Sequence, residues 1–330
     1  MHHGRAFRTI VIVSDSPCTT RLAPSPTGAL HLGNARTFLV NYLLAVQQGW
    51  RVLLRVEDLD GPRVKKGSAE QMLDELAWLG LCWQQPVVYQ STRAATYRAA
   101  LDRLSAAGWA YPCTCSRKDV ETAGGAPQAG DGATSYPNTC RGRFASAAEA
   151  LQQTGRPVAW RVKAPDAAIA FDDGLAGRRE YDLLKDGGDF VIFKSDGLAA
   201  YQLAVVIDDA EAGIDAIVRG DDLLESAARQ IHLRRLLGLS QTVRYWHLPL
   251  VIGPDGRRLA KRHGDTRLDY YRHRSCSSQR MLGLLGYWCG ILPSRQEADM
   301  AELARRFDLS RLPRQPVVFG REDDDFLLAR

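Results

Sequence analysis

Apolar and polar positions change period several times along the chain, and each change predicts an element. Residues 18–22 (CTTRL) read as a short strand running into Pro24-Ser25-Pro26-Thr27-Gly28, a set of turn-formers that cannot occupy a helix interior. From 34 to 48, Phe38, Val40, Leu43, Leu44 and Val46 recur at helical spacing, and Gly49 supplies a stop. The run RVLLRV at 51–56 predicts a strand that ends in Glu57-Asp58-Leu59-Asp60. Strand, turn, helix and strand in this order make a parallel βαβ unit, so the expected fold is α/β with a Rossmann-type parallel sheet. Further helices are predicted over 67–79, 91–107, 222–237 and 277–289, and strands over 214–218 and 246–252. Regular signals also mark 159–162, 190–194 and 201–207. Between 113 and 143 a Gly/Ala/Pro-rich stretch (Gly124-Gly125-Ala126-Pro127) breaks the pattern. The simplest organisation is a core in two halves, interrupted around 110–190. There is no internal repeat and no heptad pattern.

Composition adds boundaries to this picture. The 330 residues are 45% hydrophobic and 25% charged, enough apolar content for a large core in one or two domains. No apolar run approaches the roughly 18 residues that a membrane span needs. The start is basic, but its apolar run at 9–13 (TIVIV) is too short for a signal-peptide core, so 1–18 reads as a ragged leader. The expected location is cytoplasmic, with no membrane partner. A net charge of +5 says little by itself, but 229–274 holds eleven Lys/Arg against three Asp, a local +8. Such a stretch suits phosphates or RNA, or it is a solvated arginine-rich face. Seven cysteines argue against a fully paired disulfide framework. Cys18, Cys82, Cys276 and Cys289 are scattered, and burial as small hydrophobes is expected of them.

Two segments carry chemistry. In Arg21-Leu22-Ala23-Pro24-Ser25-Pro26-Thr27-Gly28-Ala29-Leu30-His31-Leu32-Gly33-Asn34, a strand end and a rigid turn deliver an imidazole to a helix N-terminus. Amides and dipole there favour an anion, and Gly33 admits a large ligand near the backbone. His31 can donate to oxygens that gain charge, although a histidine at a helix start is more often a cap or a core group. The second segment, Gly253-Pro254-Asp255-Gly256-Arg257-Arg258-Leu259-Ala260-Lys261-Arg262-His263-Gly264-Asp265, is a glycine-punctuated basic loop after a strand. It can fold over a triphosphate, with Lys261 as the point charge on a leaving pyrophosphate, or it is simply solvated. A third cluster, Cys113-Thr114-Cys115 with Tyr136-Pro137-Asn138-Thr139-Cys140, offers three thiolates and a phenolate for a tetrahedral metal. Spacing alone equally allows three reduced cysteines in a loop.

Taken together, the first two segments resemble the paired motifs of the class I aminoacyl-tRNA synthetases. His31-Leu32-Gly33-Asn34 is similar to the HIGH motif, and Arg258-Leu259-Ala260-Lys261-Arg262 to the KMSKS loop. Arg258 stands where that loop has its first lysine, and Ala260 where it has a serine, so charge is kept and one hydroxyl is lost. Ala23-Pro24-Ser25-Pro26-Thr27-Gly28, Arg55-Val56-Glu57-Asp58-Leu59-Asp60, Val218-Arg219-Gly220-Asp221-Asp222, Arg229-Gln230-Ile231 and Phe307-Asp308-Leu309-Ser310-Arg311 are similar to glutamyl-tRNA synthetases. The resemblance covers about 19–330. The chain is shorter than those enzymes, which carry a helical anticodon-reading domain. Its length matches a shortened branch that attaches glutamate to the queuosine base of tRNA(Asp).

The resemblance implies ATP-dependent activation of L-glutamate with Mg2+, and transfer to queuosine-bearing tRNA(Asp) by a monomer. It implies His31 and Lys261 as catalytic groups, and His31, Gly33, Asn34, Arg258 and Lys261 as ATP contacts. Arg21, Ser25, Glu57, Tyr201 and Arg219 are implied for glutamate, with Glu57 facing the ammonium. It also implies one structural Zn2+ on Cys113, Cys115, Tyr136 and Cys140. The twenty residues between Cys115 and Tyr136 exceed the family spacing, which bears on the tyrosine more than on the cysteines. The expected organisation is a catalytic domain in two halves (19–110 and 191–274) around a zinc-bearing insertion (111–190), then a helical part (275–330) without an anticodon-binding domain. Two other readings stay open: a truncated synthetase charging the 3′ end of tRNA(Glu), and a catalytically idle RNA-binding paralogue.

Overall fold

The βαβ unit is present as β1 (Thr19–Leu22), α1 (Leu32–Gln48) and β2 (Arg51–Val56) in a computed structural model that describes residues 18–26, 29–59, 64–124, 135–257, 259 and 265–329. Gly49 ends α1 in the left-handed region (φ 65°) and donates back to Ala45 and Val46, as a glycine C-cap does. α2 (Ser68–Trp78), β3 (Gln84–Tyr89), a 3-10 turn (Gln90–Arg93) and α3 (Ala94–Ala106) follow. Next come β4 (Ala110–Cys113), α4 (Arg117–Gly124), α5 (Ala147–Thr154), β5 (Ala159–Val162), β6 (Ile169–Asp173), β7 (Gly177–Tyr181), α6 (Leu183–Asp186) and β8 (Phe190–Phe193). The chain then returns through α7 (Tyr201–Glu211), β9 (Ala216–Gly220), α8 (Leu224–Leu236), β10 (Arg244–Leu248) and β11 (Val251–Ile252). It closes with α9 (Leu268–Arg272), α10 (Ser278–Trp288), α11 (Met300–Arg306), β12 (Val317–Val318) and α12 (Arg321–Leu328).

Among the described residues seven strands form one sheet in the order β3-β2-β1-β9-β10-β6-β7, parallel throughout except for the β6–β7 hairpin. Strand alternation sends Ala216 and Val218 to a core shared with α1, α2 and α10, and Ile217 to a second core with α3, α7 and α8. Both faces are therefore covered. Leu39 and Leu43 on α1 are fully buried, and truncating either to alanine costs about 2–5 kcal/mol. A separate three-stranded antiparallel sheet, β4-β5-β8, carries Cys113 at the end of its first strand. β11 pairs in parallel with β12, so the late part of the chain braces the strand that leads into the basic loop. Among the described residues no helix is long and apolar enough to cross a membrane.

Several local expectations are refined. The predicted strand over 246–252 splits into β10 and β11 at Pro249, which lacks an amide for the ladder and gives its carbonyl to Arg36 Nη1 at 2.6 Å. The signal over 201–207 is the first part of helix α7. β3 escapes the periodicity because its first half is the exposed Gln84-Gln85-Pro86. Residues 169–181, inside the segment read as an insertion, extend the main sheet as β6 and β7. Cys18, Cys276 and Cys289 are buried, but Cys82 is exposed because it follows the turn that ends α2 at Gly80.

Candidate active site

Parallel strands leave a crevice at their carboxyl ends wherever the winding direction reverses, and here that point lies between β1 and β9. A cavity of about 540 Å³ opens there, lined by Arg21, Ser25, His31, Gly33, Asn34, Glu57, Tyr201 and Arg219, among others. Eight of the residues singled out in the sequence thus share one cavity. Arg258 and Lys261 lie outside the described residues. The segment after the basic loop is strapped to the start of α1: Leu32 N donates to Thr266 O at 2.9 Å and Leu268 N to Leu30 O at 2.8 Å. Leu259 is buried in the core shared with α1.

His31 is the N-cap of α1, and its Nδ1 accepts from the amides of Gly33 (3.1 Å) and Asn34 (3.3 Å). Accepting twice at Nδ1 assigns the ring proton to Nε2. A Cβ on Gly33 would sit 3.0 Å from His31 Cε1, so the glycine is what lets the imidazole fold over its own helix. Ser25 is exposed at the rim, in the turn that Glu57 ties to β2 by donating its amide to Pro24 O at 2.9 Å. Tyr201 opens α7, and burial raises its hydroxyl above the ordinary tyrosine range.

Beneath the cavity lies a buried charge network. Asp209 Oδ1 on α7 accepts from Arg21 Nε at 3.2 Å and from Arg55 Nη1 at 2.6 Å. Arg55 Nη2 reaches Glu57 Oε1 at 3.1 Å, and Asp208 takes Arg93 Nε at 2.6 Å and Gln90 Nε2 at 2.7 Å. Burial would raise the Asp209 carboxyl, but Arg21 and Arg55 outweigh it and hold the group below the usual carboxylate range. At Glu57 burial wins over the same two arginines and raises the pKa. Arg21 spends only Nε inside the protein; its terminal nitrogens have no hydrogen-bond partner among the described residues. Arg219 donates Nε to His247 Nε2 (2.9 Å), Nη1 to Gln230 Oε1 (2.9 Å) and Nη2 to Leu223 O (3.3 Å). Arg55, Asp209 and His247 were missed in the sequence; the available signal was a charged or polar residue at a core-facing register position in a strand or helix.

The second cluster also assembles. Cys113, Cys115 and Cys140 bring their sulfurs within 4.8 Å of one another, and the Tyr136 hydroxyl lies 3.4 Å from Cys113 Sγ and 3.8 Å from Cys115 Sγ. Three sulfurs and one phenol oxygen at this separation suit a tetrahedral ion with bonds of about 2.0–2.3 Å. Arg161 Nε donates to Cys113 Sγ at 3.4 Å and its guanidinium covers the Tyr136 ring at 3.6 Å, which favours ionised ligands. Burial raises the Cys115 thiol to about 12, whereas at Cys140 the Thr114 amide and the neighbouring donors outweigh burial and lower it. Asp189, fully buried, anchors the segment by accepting from Tyr111 Oη (2.6 Å), Arg141 Nε (2.7 Å) and the Ala164 amide (2.8 Å). Gly188 lies beside it at φ +69°, and a Cβ there would meet the Tyr136 carbonyl oxygen at 2.5 Å.

The basic stretch 229–274 is not one charged surface among the described residues. Arg229 pairs with Glu225, Arg267 with Asp265, and Arg272 with Asp74, while Arg234 is buried against Gln241 O. Glu225 and Asp74, which lie outside the stretch, thus take two charges off the local +8 and leave about +6.

Fold and cavity together define a class. The family described as tRNA synthetases class I (E and Q), catalytic domain, matches residues 17–323, and the chain belongs to that family of ligases. Within it, the chain is 44% identical over 314 residues to the Glutamyl-Q tRNA(Asp) synthetase of Symbiobacterium thermophilum, covering 92% of this chain and 96% of that protein. It is 40% identical over 307 residues to the Glutamyl-Q tRNA(Asp) synthetase of Nitratidesulfovibrio vulgaris, covering 90% and 94%. A solved glutamate tRNA ligase of Elizabethkingia meningosepticum, in complex with its amino acid, superposes with a TM-score of 0.78 at 25% identity, covering 94% of this chain and 69% of that one.

Proposed function

We propose that the chain uses ATP, with Mg2+, to convert L-glutamate into glutamyl-adenylate, and transfers the glutamyl group to the queuosine base in the anticodon loop of tRNA(Asp). The observation that carries this is the meeting of Arg21, Arg219 and Glu57 in one cavity: two cations and a carboxylate complement a zwitterion with a second carboxylate. Similarity to proteins named Glutamyl-Q tRNA(Asp) synthetase supports tRNA(Asp) as the acceptor, and the queuosine base is part of this proposal.

In this reading Glu57 receives the substrate ammonium, Arg21 and Arg219 with Tyr201 receive the side-chain carboxylate, and Ser25 completes the contacts at the rim. The α-carboxylate oxygen attacks the α-phosphorus of ATP, and pyrophosphate leaves. His31 donates through Nε2 to the charge that develops, Gly33 and Asn34 offer helix-terminal amides, and Arg258 and Lys261 hold the phosphates. Mg2+ neutralises the phosphate charge when bound. Positioning supplies most of the acceleration, since no side-chain nucleophile is needed. An RNA hydroxyl then attacks the activated carbonyl, its proton departs, and AMP leaves. Cys113, Cys115 and Cys140 with Tyr136 hold a structural Zn2+ that orders the segment after β4, within a 111–190 insertion that lies between catalytic halves 19–110 and 191–274 and lends β6 and β7 to the main sheet. The protein works as a cytoplasmic monomer.

The test is transfer of labelled glutamate to tRNA from a queuosine-making strain and from a strain that cannot make it. Label confined to queuosine-bearing tRNA(Asp) is expected. Equal label in both, carried on tRNA(Glu), replaces this reading with 3′-end charging, and no glutamate-dependent pyrophosphate exchange at all favours an idle paralogue.

A further inference from the structure

We infer that His247 is a positioning residue that holds the Arg219 guanidinium ready for the substrate side-chain carboxylate, and that Asp173 does this at one remove by fixing the His247 tautomer. The inference rests on the role proposed above for Arg219. His247 Nδ1 lies 2.6 Å from Asp173 Oδ2, and Nε2 lies 2.9 Å from Arg219 Nε. An arginine Nε–H can only donate, so Nε2 must accept, and the proton must sit on Nδ1 facing the carboxylate. Asp173 is itself rigid: its Oδ1 accepts the amides of Leu175 (2.9 Å), Ala176 (2.7 Å) and His247 (3.1 Å). The three side chains come from neighbouring strands β6, β10 and β9, and all are buried.

The choice of imidazole has a physical reason. A carboxylate against Arg219 would pair with it and cancel the cation that the substrate needs. A neutral ring satisfies the buried Nε–H and leaves the charge intact, while Asp173 stays one ring further away. Other groups around His247 agree with a neutral ring. Tyr245 stacks on it at 5.9 Å, Phe171 lies at 6.5 Å, and Arg219 itself opposes a second positive charge. With Nε, Nη1 and Nη2 each spending one N–H inside the protein, Arg219 keeps one N–H on each terminal nitrogen for a ligand.

Asp173→Asn is the discriminating variant. Its amide oxygen can still accept the three backbone amides at the Oδ1 position, while its NH2 replaces Oδ2. That NH2 donates to Nδ1, drives the proton to Nε2, and sets N–H against N–H at Arg219. The expected result is a glutamate KM raised about ten- to a hundredfold, the loss of one charge-assisted hydrogen bond, with the ATP KM unchanged. Long-range 1H–15N spectra of the 15N-histidine protein should show His247 as Nδ1–H in the wild type and Nε2–H in D173N. An unaltered tautomer or an unaltered glutamate KM in D173N overturns the inference. If D173N does not fold, the wild-type spectrum alone decides, because a charged or Nε2–H His247 overturns it. Arg219→Ala separates the two readings: a glutamate KM that it leaves unchanged removes the role of Arg219, whatever the tautomer of His247.

Discussion

Asp209 offers a demanding test of how the cavity floor is built. Its Oδ1 is shared by Arg21 and Arg55, and all three side chains are at least 95% buried. Asp209→Asn keeps the shape and removes the charge, leaving two desolvated cations with fewer anions to face. Breaking a buried ion pair from one side costs about 3–5 kcal/mol. For a chain of 330 residues the unfolding entropy is about 0.7 kcal/mol/K, so Tm should fall by about 4–7 °C. The matched control is Asp102→Asn, which removes the same charge from the exposed Arg98–Asp102 pair, worth about 0.2–1 kcal/mol and hardly visible in Tm. Calorimetry of both variants across pH gives a second readout. Asp209 has a depressed pKa in the fold, so its contribution is present above the unfolded value of about 3.9 and lost as pH falls through the folded one. D209N should therefore narrow its deficit against wild type in acid. Equal Tm losses in D209N and D102N, or a deficit that does not change with pH, would refute the assignment of Asp209 as the anion that the two arginines require.

Three further outcomes follow from the same geometry. Because burial raises the Glu57 pKa, kcat/KM for glutamate should fall with acidification from a higher pH than an ordinary glutamate gives; Glu57→Gln should lower it at neutral pH and flatten the profile, and an unchanged profile removes Glu57 from the ammonium site. Gly188→Ala adds a left-handed strain of about 1–3 kcal/mol and a clash with the Tyr136 carbonyl, so elemental analysis should find less than the one zinc per chain expected of wild type; full occupancy would show that the segment yields. Lys261→Ala should nearly abolish glutamate-dependent pyrophosphate exchange, and near-normal exchange would take the phosphate role from that lysine.

What could be read before folding was local. The helix α1, its stop at Gly49 and the strand β2 follow from residue period and a single glycine, because each depends on neighbours within a few positions. The same holds for His31, whose capping partners Gly33 and Asn34 are two and three residues away. The family resemblance reached further, to Arg21, Glu57, Tyr201 and Arg219, and the cavity contains all four. The chain by itself did not identify the partners of those groups. Asp209 lies 188 residues from Arg21 and 154 from Arg55, and Asp173 lies 74 from His247. A charge inside a hydrophobic strand looks like an irregularity until a second strand or helix brings its counter-ion, because only desolvation makes the pairing compulsory. The hairpin β6–β7 was hidden for a related reason: its place at the sheet edge is set by pairing with β10, not by its own period. Sequence thus determined the elements with a period of their own, such as β1, α1 and β2, and the chemical groups that face the cavity; tertiary structure decided the edge strands and which buried charges restrain those groups, since Coulomb partners are chosen by distance in space.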